Sequence, residues 1–527
     1  MSELRYRNLD RCESFQRLAD EEPHHPTKLT VDRIREYDLP VIEGLRYNFS
    51  AKAVSGWTID QLVVLAEEQQ ILEKFRALAK GAVMNTGEGR KVLHHLLRGE
   101  LDKPVVDNGR DLGAFYREQQ ERVYAFAKGV ETGEITGSTG KQFNRVIQIG
   151  IGGSDLGPRA LYIALVNYLY GEGRRPKMVA DFISNVDPDD AAAVVREIDA
   201  ERTLFILVSK SGTTQETLTN ERFVIESLER AGVPGLKPRK HIVAVTSQTS
   251  PLAKSSDYLD AFYIDDYIGG RYSGTSAVGT TVLSLALGSD IVAQFLAGAH
   301  EADLAALNNP LHENATALDA LIGVYERNIL NLPATAVLPY SQALTRFPAH
   351  LQQLDMESNG KRVNREGEPV SYPTGPIIFG EPGTNGQHSF YQLLHQGTDI
   401  VPLQFIGFRE SQSRRDVSYE ESDSQTKLKA NLAAQIVAFA MGKSDTNPNK
   451  QFPGGRPSSL LYADRLTPRI LGALLAHFEN KVMFQGFLWN LNSFDQEGVQ
   501  LGKVLTKELL AGGASPQLQA VAQLLGV

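Results

Sequence analysis

The chain has 527 residues, with 54 Lys+Arg against 63 Asp+Glu and a net charge of −9, and 42% of its residues are apolar. That is globular composition for two large domains or about three ordinary ones, and the acidic balance excludes nucleic acid or an anionic membrane as the main partner. Taken alone, it also weighs against a phosphorylated ligand. The lone Cys12 excludes an intrachain disulfide and a cysteine-based zinc cluster, and it points to a reducing compartment.

In chain order, Met1–Asn8 is charged and leads into no apolar leader, so a cytoplasmic protein is expected. The first 110 or so residues read as mainly helical, with one periodic stretch from Ile59 to Leu78. The pairs His24–His25 and His94–His95 have no metal-ligand spacing and are expected to be solvated. A turn-rich connection, 128–141, opens a run of strand–turn–helix units. Val146–Ile149, Thr203–Val208 and His241–Thr246 are predicted strands, while Pro158–Tyr170, Ala191–Ile198 and Gln215–Arg230 are predicted helices. Strands apolar on both faces and alternating with helices indicate a parallel sheet covered on both sides. Thr280–Ala299 is too interrupted by Asp290 and Gln294 to span a membrane and reads as a buried helix pair. Ala334–Leu338, Gly375–Phe379 and Ile400–Phe408 are further strands, and Asn431–Met441 and Pro468–Trp489 are helical. The fold class is therefore α/β. A helical segment over 1–112 is expected to pack on a larger domain over 288–527, with a smaller domain over 113–287.

Two loops have the design of an anion site. Ser209-Lys210-Ser211-Gly212-Thr213-Thr214 places four hydroxyls, a lysine and a glycine between a buried strand and a helix N-terminus. That helix end carries unpaired N–H donors and partial positive charge. A plain N-cap cluster needs only one hydroxyl. Gly150-Ile151-Gly152-Gly153-Ser154-Asp155 begins like a dinucleotide fingerprint, but Asp155 stands where the third glycine would be. A tight turn that lets a sugar or its phosphate approach the backbone survives. No P-loop is present, because Gly140-Lys141 is followed by Gln142.

Acid–base candidates are sparser. His388 lies in a loop dense in Gly, Asn and Pro, which can position a group titrating near neutrality, although a simple turn histidine fits as well. Glu357 sits in a polar turn, Asp355–Lys361, where a carboxylate is usually just solvated. Arg271 follows Gly269-Gly270, which open space beside its guanidinium for an oxyanion, although an ordinary surface arginine fits equally well, and Lys503 reads as a helix-surface lysine.

Six segments in order then carry a resemblance: GIGGSDLGP at 150–158, SKSGTTQET at 209–217, GGRYSGTSAVG at 269–279, LQQLDMESNGK at 351–361, GEPGTNGQHSFYQLLHQG at 380–397 and NSFDQEGVQLGK at 492–503. Together they resemble the phosphoglucose isomerase (glucose-6-phosphate isomerase) family. The resemblance implies two αβα sugar-isomerase-like domains. It also implies a homodimer that interconverts glucose 6-phosphate and fructose 6-phosphate without metal or cofactor, in glycolysis and gluconeogenesis. It makes Ser209, Lys210, Ser211, Gly212, Thr213 and Thr214 the phosphate loop, with Gly153, Ser154, Gln353 and Gln496 as further substrate contacts. Glu357 becomes the proton-transfer residue, Arg271 the group beside the enediolate, and His388 and Lys503 the ring-opening residues, with His388 reaching the other subunit's site. Ser211-Gly212 and Gly274-Thr275 depart from the commoner family pattern, the second raising a question about packing beside Arg271. A sugar-phosphate-binding regulator of the same domain family is the alternative, but it need not keep Glu357, Arg271, His388 and Lys503 together. An aminosugar-forming isomerase would lack the last two motifs, and Asp155 disfavours a nicotinamide dehydrogenase.

Overall fold

The computed structural model describes residues 4–21 and 29–527, so the His24–His25 pair lies outside the described residues. One sheet holds five parallel strands in the order Asp260–Tyr263, Ile242–Thr246, Thr203–Val208, Arg145–Ile149, Val179–Ile183. Period-2 alternation divides its side chains between two cores. Val146, Leu204, Ile206, Val243 and Val245 face one cluster, while Ile147, Phe205, Leu207, Ile242 and Ala244 face the other. Helix Gln215–Arg230 covers the second face through Val224, Ile225 and Leu228. Helices Leu156–Gly171 and Ala277–Leu287 cover the first.

The second sheet repeats that parallel order. Ser458–Ala463, Leu403–Phe408, Ala334–Pro339 and Ile377–Phe379 lie side by side, and the antiparallel hairpin Asp38–Ile42/Leu45–Asn48 extends the edge beside Ser458–Ala463. In each sheet the chain reverses direction of growth beside the first parallel strand. In such sheets, the crevice outside the strands' carboxyl ends at that point receives ligands. For the first sheet it lies between the loops that follow Arg145–Ile149 and Thr203–Val208, the two loops singled out as anion sites.

Among the described residues, the element readings hold for six of the nine parallel strands, missing Val179–Ile183, Asp260–Tyr263 and Ser458–Ala463, and they are incomplete at the N-terminus. The segment expected to be mainly helical contributes the hairpin at 38–48 and two small ribbons, Val83–Asn85/Arg90–Lys91 and Val106–Asp107/Arg110–Asp111. These strands are too short, and too rich in charge, to show period-2 alternation. The periodic stretch 59–78 is two helices, Gly56–Glu68 and Ile71–Ala79, broken where Gln70 takes a left-handed conformation (φ 52°). The expected helix pair is present as Ala277–Leu287 and Ser289–Asn308, divided at Gly288 (φ 104°), a backbone angle that glycine tolerates. Helix Pro468–Leu488, buried along almost its whole length, runs through the centre and delivers the segment 491–496 to the cleft described next.

Candidate active site

The cleft has a volume of about 310 Å³ and opens at the carboxyl edge of the five-stranded sheet. Ser154, Ser209, Lys210, Ser211 and Thr214 line one end, and Gln496 and Lys503 come in from the C-terminal region. Gly153 lets the two halves of this wall meet: a Cβ there would lie 2.2 Å from the Gly270 carbonyl. Only a residue without a side chain permits the 150–154 turn to pack backbone against backbone on the Gly269-Gly270 turn.

Within the 209–214 loop, Ser209 Oγ donates to Thr214 Oγ1 at 3.0 Å, and Thr213 donates from both N and Oγ1 to Ser211 Oγ. Thr214 occupies the N-cap of helix Gln215–Arg230 yet makes no side-chain cap bond, so the hydroxyls are not consumed by capping. Lys210 Nζ donates to the Ile268 carbonyl at 3.0 Å, and burial pushes its ammonium below the usual lysine range. Asp155, the residue that breaks the dinucleotide pattern, is buried and paired with Arg159 at 2.8 Å, with burial raising its carboxyl above the usual range.

Arg271 is 1% exposed and fully tied down. Its Nε donates to Ser358 Oγ at 2.7 Å, Nη1 to Gln496 Oε1 at 3.1 Å, and Nη2 to the carbonyls of Ser493 and Asp495 at 2.6 and 3.0 Å. Its remaining polar neighbour is the Glu357 carboxylate, 3.4 Å from Nη1. Glu357 does not sit in a polar turn, as the sequence suggests. Helix Phe347–Gln352 continues into a π turn, Gln353–Glu357, a rare geometry that recurs at functional sites. Gln353 comes off the same turn beside Gly152, with its Oε1 unpartnered. The departure at Gly274-Thr275 is absorbed by packing, because Gly274 abuts Leu161 and both residues are buried.

His388 stands apart. It follows helix Gly383–Gln387, is exposed, and does not line the cleft of its own chain. The His94–His95 pair, expected to be solvated, is buried instead. His94 stacks on Tyr272 with ring centroids 4.5 Å apart, and burial holds His95 neutral, pushed down to about 3. Residues missed by the sequence reading include Asn85, Glu88, Arg90 and Lys91, which the ribbon at 83–91 brings to the cleft wall. Gly87-Glu88-Gly89-Arg90 did offer a signal, since it repeats the glycine-then-arginine pattern of Gly269-Gly270-Arg271.

A doubly wound α/β fold with a hydroxyl-rich helix N-terminus in its cleft, and an arginine–carboxylate pair joined to that cleft through Gln496, defines a protein of the phosphosugar-isomerase type. Comparison with known proteins is more specific. Residues 48–520 match the family model described as phosphoglucose isomerase. The chain is 57% identical over 532 residues to the glucose-6-phosphate isomerase of Treponema denticola, covering 99% of this chain and 100% of that protein. It is 48% identical to that of Borreliella burgdorferi, covering 96% of each. The crystal structure of a glucose-6-phosphate isomerase from Chlamydia trachomatis superposes with a TM-score of 0.91 at 42% identity, covering 99% of both chains. The chain belongs to the phosphoglucose isomerase family.

Proposed function

We propose that the chain catalyses the reversible aldose–ketose isomerisation of glucose 6-phosphate and fructose 6-phosphate, in glycolysis and gluconeogenesis. The observation that carries this reading is the Glu357 carboxylate held 3.4 Å from a buried, immobilised Arg271, which donates to Gln496 in the wall of the cleft that the 209–214 loop also lines. Moving hydrogen between adjacent carbons requires one base that removes a proton from C2 and returns it to C1, and Glu357 is that base. The cis-enediolate formed in between is anionic. The Arg271 guanidinium, oriented by four other acceptors before substrate arrives, stabilises charge that exists only during reaction. Ser209, Lys210, Ser211, Gly212, Thr213 and Thr214 hold the unreactive phosphate, and Gly153, Ser154, Gln353 and Gln496 contact the sugar. That binding energy fixes the carbons against Glu357.

The sugar arrives as a closed ring, so the ring oxygen needs an acid and the anomeric hydroxyl a base. His388 and Lys503 take these roles, His388 from the partner subunit of a homodimer. Its exposure on the surface supports that assignment. The chain divides into a smaller domain over 113–287 and a larger one over 288–527 that carries 1–112, supported by one parallel sheet in each. It resides in the cytoplasm; among the described residues, no helix is long and apolar enough to cross a membrane.

Two experiments test the reaction. Glu357→Gln is expected to lower kcat by at least about 10²-fold while fructose 6-phosphate still binds by calorimetry; full turnover in that variant would sink the mechanism. Turnover of glucose 6-phosphate in deuterated water is expected to place deuterium at C1 of fructose 6-phosphate and, through the reverse reaction, at C2 of the recovered glucose 6-phosphate. A hydride shift would predict strict retention in every product molecule.

A further inference from the structure

Beneath the π turn lies a small cavity of about 30 Å³. Its polar lining includes Asp355, Gln485, Lys481, Gln404, Lys52, Glu326 and Thr335. Most of these groups are already committed. Lys52 pairs with Glu326 at 2.9 Å, and Lys481 Nζ donates at 3.0 Å both to Asp319 Oδ1 and to Gln404 Oε1. Asp319 in turn takes the His477 ring and the Tyr47 hydroxyl at 3.0 Å each. Two acceptors are left over: Asp355 Oδ1 and Gln485 Oε1 are buried without a hydrogen-bond partner. An orphaned buried acceptor costs about 1–3 kcal/mol, so its retention calls for a reason. A chamber of this size accommodates a water molecule, which needs polar partners of this kind.

We propose that Asp355 is a positioning residue for the isomerisation, anchoring from inside this chamber the π turn that aims Glu357 at Arg271. Asp355 and Glu357 are two residues apart on one helical turn, so they leave it in different directions. Asp355 goes into the buried chamber and Glu357 to the Arg271 side. A π turn persists only where its surroundings over-determine it. Leu354 and Asp355 are its buried residues, and Asp355 alone of the two offers a polar hold. Burial pushes the Asp355 carboxyl up to about 7, with Lys481 opposing and Asp319 reinforcing the shift. A carboxyl that retains its proton there donates to Gln485 Oε1 through a water in the chamber, which satisfies both orphans. Lys52 and Glu326 face the chamber as a neutralised pair.

The inference rests on the proposed isomerase activity, and two variants separate the outcomes. Asp355→Leu keeps the volume and deletes the polar hold. It is expected to lower kcat about 10²-fold while KM for fructose 6-phosphate stays within about twofold, the mark of a misaimed base rather than a lost binding contact. Asp355→Asn can still donate to Gln485 and is expected to recover kcat to within about threefold of wild type, which a requirement for the carboxylate charge would not allow. Crystal structures of the Leu variant read the same point without turnover, expected to show the π turn relaxed and Glu357 withdrawn from Arg271. Wild-type kcat and an unchanged π turn in Asp355→Leu would overturn the inference, as would an Asn variant as impaired as the Leu variant. If the Leu variant fails to fold, Gln485→Leu removes the other half of the contact and is expected to split kcat from KM in the same sense; an unchanged kcat there overturns it. A wild-type chain that does not interconvert the two sugar phosphates would defeat the functional reading instead, leaving the crystallographic comparison to decide this one.

Discussion

At the scale of single residues, the site depends on what is absent as much as on what is present. Gly153 has no side chain, and the Gly270 carbonyl occupies the space that one would need. Gly153→Ala is therefore expected to force the 150–154 and 269–270 turns apart. The cost is about 1–3 kcal/mol of stability and a larger proportional loss in kcat/KM, checked by urea unfolding beside steady-state kinetics. His350 gives a cleaner electrostatic case, because neither ring nitrogen has a hydrogen-bond partner and burial alone pushes it down to about 4. The unfolded chain takes up that proton near pH 6.5, so between about 6.5 and 4 the unfolded state binds more protons and stability falls as pH falls. At about 1.4 kcal/mol per pH unit, the ring removes roughly 2 kcal/mol between pH 6.5 and 5. His350→Gln lacks this term. Its stability relative to wild type is expected to rise by that amount over the same interval in urea unfolding.

At the scale of elements, each catalytic or binding group comes from an end. The hydroxyl loop sits where strand Thr203–Val208 meets helix Gln215–Arg230, Glu357 ends a π turn, and Lys503 lies in the first turn of helix Gln500–Leu510. Ends carry unpaired backbone donors and acceptors and tolerate irregular geometry, whereas the middles of these elements are occupied with packing. Helix Gln500–Leu510 buries none of its residues, so the role proposed for Lys503 falls on a residue that contributes nothing to the core. Lys503→Met is expected to leave the unfolding midpoint within about 2 °C of wild type while kcat/KM falls about 10- to 100-fold. A matching loss of thermal stability would assign the lysine a structural part instead.

For the whole molecule, the charge of −9 proves uninformative about the ligand. One cleft brings Lys210, Lys503 and a helix N-terminus together, while its Arg90 and Lys91 are paired with Glu88 and Asp107, and a local field of this kind is insensitive to the global sum. The exposed His388 and the exposed apolar side chains of the C-terminal helices, among them Leu501, Leu510, Leu524 and Leu525, are what the proposed symmetric dimer would cover. If His388 completes the partner's site, Glu357→Gln and His388→Ala are each inactive alone, yet their heterodimer holds one intact site. Unfolding and refolding an equal mixture is expected to restore about a quarter of wild-type activity. No recovery above the separate variants would place both residues in one chain's site.

The sequence by itself determined six of the parallel strands, the main helices between them and the two turns at the carboxyl edge, but not the strands Val179–Ile183, Asp260–Tyr263 and Ser458–Ala463. Everything it determined rests on local pattern: Thr203–Val208 is apolar at almost every position, and a hydroxyl cluster follows it at once. The motif order determined the family in the same way. Only the tertiary structure decided that Glu357 belongs to a π turn, that His94 and His95 are buried beneath the site, and that the N-terminal ribbon at 83–91 walls the cleft. None of these leaves a periodic trace, because each arises from segments hundreds of residues apart in sequence. Arg271, Glu357 and Gln496 meet on that basis. Their contact was fixed by how helix Pro468–Leu488 and the two sheets pack, which no local stretch encodes.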